Sequence, residues 1–215
     1  MSFLGKKKEP EEKPALLEQA MLDQLRTHFQ KIQHPVELVA SLDEKPKSGE
    51  MRAFLEEISL LSDKIKVAYE SVADARMPSF SVARQGENAR IRFAGLPLGH
   101  ELTSLVLAIL HCSGHPPKEE PALIDQIRSI EGDCSFETYI TLSCHNCPDA
   151  VQAFNLMAAV NPRIRHTMID GKLFMDEIDR HKIDAVPAIL LNGQPFARGR
   201  KPLKEFVDLV ASASR

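Results

Sequence analysis

Shifted by about one hundred residues, the sequence repeats its own pattern, and this constrains its fold more than any other feature. Ser41-Leu42 falls on Thr141-Leu142, and Met51-Arg52-Ala53-Phe54 falls on Val151-Gln152-Ala153-Phe154. "KIKVAYE" from Lys64 answers "RIRHTMI" from Arg163, and "MPSFSVA" from Met77 answers "VPAILLN" from Val186. Gly95 and Pro97-Leu98 then meet Gly199 and Pro202-Leu203. One matched dipeptide would carry little, but several in the same order imply one fold used twice.

The second half shows what that fold is. Phe136, Thr138, Ile140 and Leu142 alternate with Glu137, Tyr139 and Thr141, the period of a strand with one buried face. Val151, Phe154, Met157 and Ala158 recur at helical spacing, and Asn161-Pro162 closes the run. "RIRHTMID" reads as a second strand, Phe174 to His181 as a helix, "VPAILLNG" as a third strand, "FARG" as a short fourth and Leu203 to Ala211 as a final helix. The order is β-α-β-α-β-β-α, with a preceding helix at Leu123 to Ile130, and in the first half at Met21 to Ile32. Between Tyr69 and Met77 the first half has no room for the second helix of the pattern. Glu44 and Lys47 stand there where Cys144 and Cys147 stand in the second half. The expected organisation is a charged tail over residues 1–20, a redox-silent fold over 21–115 and a second fold carrying the cysteine pair over 116–215.

Composition removes several classes of function. With 27 Lys plus Arg against 30 Asp plus Glu, the net charge of −3 offers no footprint for nucleic acid. "MSFLGKKKEPEEKP" has no apolar core of a signal peptide, and no apolar run reaches bilayer length, so a cytoplasmic protein without membrane contact is expected. Thiols stay reduced in that compartment, so a CxxC there points to catalysis or metal binding ahead of a structural staple.

The CxxC is "SCHNCPDA". At a strand-to-helix junction, the first sulfur meets unpaired N–H groups of the helix start, which favour thiolate over thiol. Cys144 is then the nucleophile and Cys147 the resolving thiol, with Pro148 just inside the helix, where its missing N–H costs nothing. Pro187 opens a strand expected beside the pair, where a cis bond would bring backbone close to the disulfide. His145 either tunes the couple, since an imidazolium beside a thiolate favours the anion, or is a solvent-facing loop residue. Glu101, after "LGH", reads as an ordinary first-turn acid. Other readings stay open: zinc held with help from His111, Cys112, His115, Cys134 or His145, a pair of inert thiols, or a redox-inactive adaptor. Cys112 closes an apolar helix and Cys134 opens a strand, so both suit small core residues.

The second half resembles a thioredoxin or glutaredoxin fold. From about Met21 onward the chain is similar to the N-terminal region of the bacterial alkyl hydroperoxide reductase flavoproteins. The residues that carry this are "ETYITLSCHNCPDAVQAFNLMAAVNPRIRHTMIDG", "VPAILLNG", "HPVELVASLD" and "RFAGLPLGHELTSLVLAIL". The resemblance implies two tandem thioredoxin-like folds, the first lacking a helix and the redox cysteines. It implies a thiol-disulfide oxidoreductase whose Cys144–Cys147 couple takes electrons from a flavoprotein dithiol and gives them to a peroxiredoxin disulfide in peroxide defence. It also implies that Glu101 assists proton transfer at the couple. No "GxGxxG" is present, so no cofactor is expected on the chain itself; FAD and NADH would act only through a separate reductase domain or partner.

Overall fold

The computed structural model describes residues 16–70 and 76–214. The charged tail lies mostly outside these residues, and so does most of the stretch where the first half was expected to lack a helix. In the first half, α1 (Gln19–Phe29) buries Leu22, Leu25 and Phe29 at helical spacing. It is followed by β1 (Val36–Ser41), α2 (Pro46–Ser59), β2 (Ile65–Tyr69), β3 (Ser79–Arg84), β4 (Ile91–Ala94), a 3-10 turn (Gly99–Glu101) and α3 (Leu102–Cys112). The second half repeats this as α4 (Pro121–Arg128), β5 (Cys134–Ile140), α5 (Cys147–Val160), β6 (Ile164–Asp170), α6 (Met175–Arg180), β7 (Ala188–Leu191), β8 (Gln194–Arg198) and α7 (Leu203–Ala213). The strand expected to run to Leu142 stops at Ile140. There Gly171 takes the last pairing on Ile140, and Cys144 N–H turns back to the Thr141 carbonyl at 2.9 Å.

The duplication is visible in the pairing. Within the first half the strand order is β2-β1-β3-β4, and within the second it is β6-β5-β7-β8. In each, the first two strands in sequence are parallel and the next two pairings antiparallel. Both halves also have a cis proline before the third strand, Met77–Pro78 and Val186–Pro187. The same hydrogen bond follows each: Gly95 N–H to the Pro78 carbonyl at 3.2 Å, and Gly199 N–H to the Pro187 carbonyl at 2.9 Å. Both glycines have positive φ, 115° and 73°. The hairpin at Asn192-Gly193, φ 50° and 77°, is the turn that the right-handed twist of two strands prefers.

Repetition alone does not show how the halves join. β4 pairs in parallel with β6, from Ile91 opposite His166 to Ala94 opposite Ile169, so the two units form one eight-stranded sheet. Alternate strand residues divide between two faces. Leu38, Val82, Phe93, Met168, Phe136 and Ile189 join the main core with the buried stripes of α2, α3, α5 and α7. Ala94, Tyr139, Ile169, Ala188 and Leu190 form a smaller cluster under Phe174 and Ile178 beside α6. Phe154 of α5 anchors the main core, 4.6 Å from the Phe136 ring and 5.0 Å from Phe206.

Polar contacts also tie the halves. Arg90, leading into β4, donates from Nε to the Ala158 carbonyl at 2.8 Å, placing a cation at the C-terminus of α5. Arg76, just before β3, makes two hydrogen bonds at 2.7 Å to Glu177 of α6 and one at 2.6 Å to Glu137 of β5. Among the described residues no helix is long and apolar enough to cross a membrane.

Candidate redox site

Cys144 and Cys147 are joined by a disulfide, their Cα atoms 5.5 Å apart. Cys147 is the first residue of α5 and is fully buried, whereas Cys144 lies in the preceding turn and is half-buried. Of the two, Cys144 is the more accessible. Pro148 sits in the first turn of α5, and the N–H groups there lie next to the pair. On the other side, the Val186 carbonyl oxygen is 3.9 Å from Cys144 Sγ, held by the cis bond to buried Pro187.

The first half, which carries Glu44 and Lys47 in place of the cysteine pair, contributes a wall of the site. Gly99 has φ +59°, and a Cβ there would lie 3.3 Å from the Leu142 carbonyl, so the 3-10 turn presses directly on the redox loop. Next to it, the rings of His100 and His145 are 4.1 Å apart. Both side chains are exposed. His100 is the residue that reading the sequence did not single out. Its stretch and the CxxC are far apart in the chain, and only its place beside Glu101 hinted at it.

Glu101 ends the 3-10 turn and is 1% exposed. Burial is the main cause of a carboxyl pushed up to about 7; the Ser104 hydroxyl bond opposes this, and the charge of Asp149 adds to it. A buried acid poised near neutrality can carry protons, and the turn that holds this one packs on the redox loop at Gly99. Asp149, in the first turn of α5, is paired with Arg200.

The other candidate ligands and thiols lie elsewhere. Cys112, whose thiol burial pushes up to about 12, sits 3.7 Å from the Val82 carbonyl at the end of α3. Cys134 opens β5, 3.3 Å from the Ser214 hydroxyl. His111, lowered to about 4 chiefly by burial, lies on the same helix end as Cys112. Among the described residues no three His, Cys, Asp or Glu side chains converge as metal ligands would, so the further ligands of the zinc reading do not gather around the CxxC.

Comparisons with known proteins agree with this geometry. A thioredoxin-domain family profile matches residues 135–211. The alkyl hydroperoxide reductase of Pseudomonas putida, in its AhpF component, is 50% identical over 192 residues, which cover 89% of this chain and 37% of the relative. The chain thus spans little more than a third of the length of that curated relative. Among solved structures, the NTD N/C domain of alkylhydroperoxide reductase AhpF from Enterococcus faecalis superposes with a TM-score of 0.84 at 30% identity, over 90% of this chain and 99% of that one. A protein disulfide oxidoreductase from Aeropyrum pernix superposes with a TM-score of 0.78 at 25% identity, covering 92% and 93% of the two chains.

Proposed function

The chain belongs to the family of thioredoxin-like N-terminal regions of the alkyl hydroperoxide reductase component AhpF, and on that premise we propose that it is a protein disulfide oxidoreductase that relays electrons in peroxide defence. The donor is the dithiol of a flavoprotein disulfide reductase and the acceptor is a peroxiredoxin-type disulfide. FAD and NADH belong to that separate reductase domain or partner, and the relay operates in the cytoplasm. Residues 116–215 carry the couple, and residues 21–115 supply the wall that holds Glu101 against it.

The observation that carries this reading is the asymmetry of the disulfide, with Cys144 half-buried, Cys147 buried and a near-neutral carboxyl in the 3-10 turn that packs on the redox loop. In the reduced protein, the Cys144 thiolate attacks one sulfur of the partner disulfide. That bond breaks, the other partner sulfur leaves as thiolate, and a mixed disulfide remains. Cys147 passes its proton to the Glu101 carboxylate and attacks Cys144 Sγ, which releases the second partner thiolate. Two electrons have then left the dithiol for the partner. Pro187 and the Val186 carbonyl border the Cys144 sulfur and shape its approach, and His145, next in the chain, meets His100 of the first half.

The test is a two-stage transfer. The chain reduced with dithiothreitol, then freed of reductant, is expected to reduce a disulfide-form peroxiredoxin stoichiometrically, and to turn over when a flavoprotein disulfide reductase and NADH are added. A reduced chain that leaves every peroxiredoxin disulfide intact overturns the proposal.

A further inference from the structure

The two oxygens of Glu101 are not equivalent. Oε2 accepts a hydrogen bond from the Ser104 hydroxyl at 2.7 Å, inside the protein. Oε1 is buried and has no hydrogen-bond partner among the described residues. An unpaired buried carboxylate oxygen is costly, so its retention needs a reason.

Ser104 is itself held in place. It is fully buried three residues beyond Glu101, and its oxygen accepts from Gln152 Nε2 at 3.3 Å. An amide N–H can only donate, so with that contact in place the serine's one proton is free to point at the carboxyl. Gln152 belongs to α5, the helix that begins at Cys147. Its other surroundings are a groove of about 540 Å³ between the halves, lined by Leu107, Asp149, Leu156 and Leu203. The resolving cysteine and Gln152 therefore share one helix, while Ser104 and Glu101 sit on α3 and the turn that precedes it.

We propose that Ser104 and Gln152 are positioning residues that commit Oε2 of Glu101 as a permanent acceptor and leave Oε1 as the oxygen that takes and returns the proton during disulfide exchange. The proposal rests on the acid–base role given to Glu101 above. In the transfer, the Cys147 S–H bond breaks, an O–H bond forms at Oε1, and the electron pair stays on sulfur, ready to attack Cys144. The hydroxyl bond to Oε2 persists in both states, stronger when the carboxyl is ionised. The charged group that acts on this carboxyl is Asp149 of α5, itself paired with Arg200 after β8, and His100 beside Glu101 in the chain meets His145 of the redox loop. Removing the hydroxyl withdraws a contact that favours the carboxylate, so the carboxyl must ionise at higher pH.

The experiment follows the rate at which the reduced protein reduces an aromatic disulfide, from about pH 5 to about pH 9, where the carboxyl appears as one limb of the profile. Ser104→Ala is expected to move that limb up by about one pH unit, Ser104→Thr to leave it in place, and Gln152→Leu to move it less, in the same direction. Glu101→Gln serves as the reference and should erase the limb. If Glu101→Gln leaves the limb intact, the acid–base reading itself fails. If Glu101→Gln erases it while Ser104→Ala and Gln152→Leu leave it at the wild-type pH, the positioning inference is overturned and the acid–base reading stands. A merely structural serine would alter stability without moving the limb.

Discussion

Two buried titratable residues oppose each other in how stability depends on pH. Glu101 is raised in the folded state to about 7, from 4.5, so between those values the folded protein holds more protons than the unfolded one, and stability is lost as pH rises through the window. His166 runs the other way. It is buried between Asn155, at 2.7 Å, and Thr138, at 2.8 Å, and burial lowers it to about 3 from 6.5, so its contribution is complete above 6.5 and lost as pH falls. Where the windows overlap, the two slopes cancel. Glu101→Gln removes the first slope, so between 4.5 and about 7 the variant should gain on the wild type by roughly 1.4 kcal/mol per pH unit, reaching ~3 kcal/mol above neutrality. Urea unfolding of both oxidised proteins across pH checks this; parallel curves would show that Glu101 carries no such cost. A group that destabilises the fold at working pH fits one kept for chemistry. At the couple itself, Cys147→Ser should trap a partner on Cys144, and peptide mapping that finds the adduct elsewhere would reverse the two roles.

At the scale of elements, the 3-10 turn decides whether the first half reaches the couple. Gly99 uses its positive φ, and a Cβ there would crowd the Leu142 carbonyl at 3.3 Å. Gly99→Ala is therefore expected to cost about 1–2 kcal/mol and to lift His100 and Glu101 from the redox loop. Disulfide exchange should slow at least as much as in Glu101→Gln, with unchanged helix content by circular dichroism; wild-type exchange would show that the contact has no part in transfer. The turn also marks the limit of what the sequence makes legible. Pro148 inside α5, Asn192-Gly193 between β7 and β8, and the cysteine spacing are local signals, because each dictates geometry within one turn of chain. The contact of His100 with His145 and the bond from Gln152 to Ser104 join distant stretches, and no local periodicity encodes them. Strand ends were less legible than strand centres: Leu142 continues the alternation of β5 but is drawn out of the ladder by the turn that places Cys144.

For the whole molecule, the repeat announces two folds while the packing makes one body of them. The offset exposes the repeat because each unit keeps its own apolar pattern, but the joint between β4 and β6 relies on backbone hydrogen bonds that any residue can make. Removing residues 1–115 would strip β6 of β4, one of its two partners, and leave the row from Ile164 to Asp170 as an open edge, with Ile164, Met168 and Ile169 fully buried in the intact chain. It would also remove Arg90 from the C-terminus of α5, and α3 from its side, where Leu105 and Ile109 are fully buried in the intact chain. Each apolar side chain uncovered forfeits about 1.5–3 kcal/mol, and a few of these equal the stability of a typical domain. The fragment 116–215 should therefore keep a disulfide that dithiothreitol reduces, yet unfold at far lower urea than the full chain, self-associate through β6 and pass electrons poorly to a protein disulfide. Arg90→Met in the full chain separates the causes: it removes the helix-end cation alone, and should cost about 1 kcal/mol with the sheet intact and transfer nearly normal. A fragment as stable and as active as the full chain would mean that the continuous sheet is incidental and that the first half serves neither the fold nor the couple.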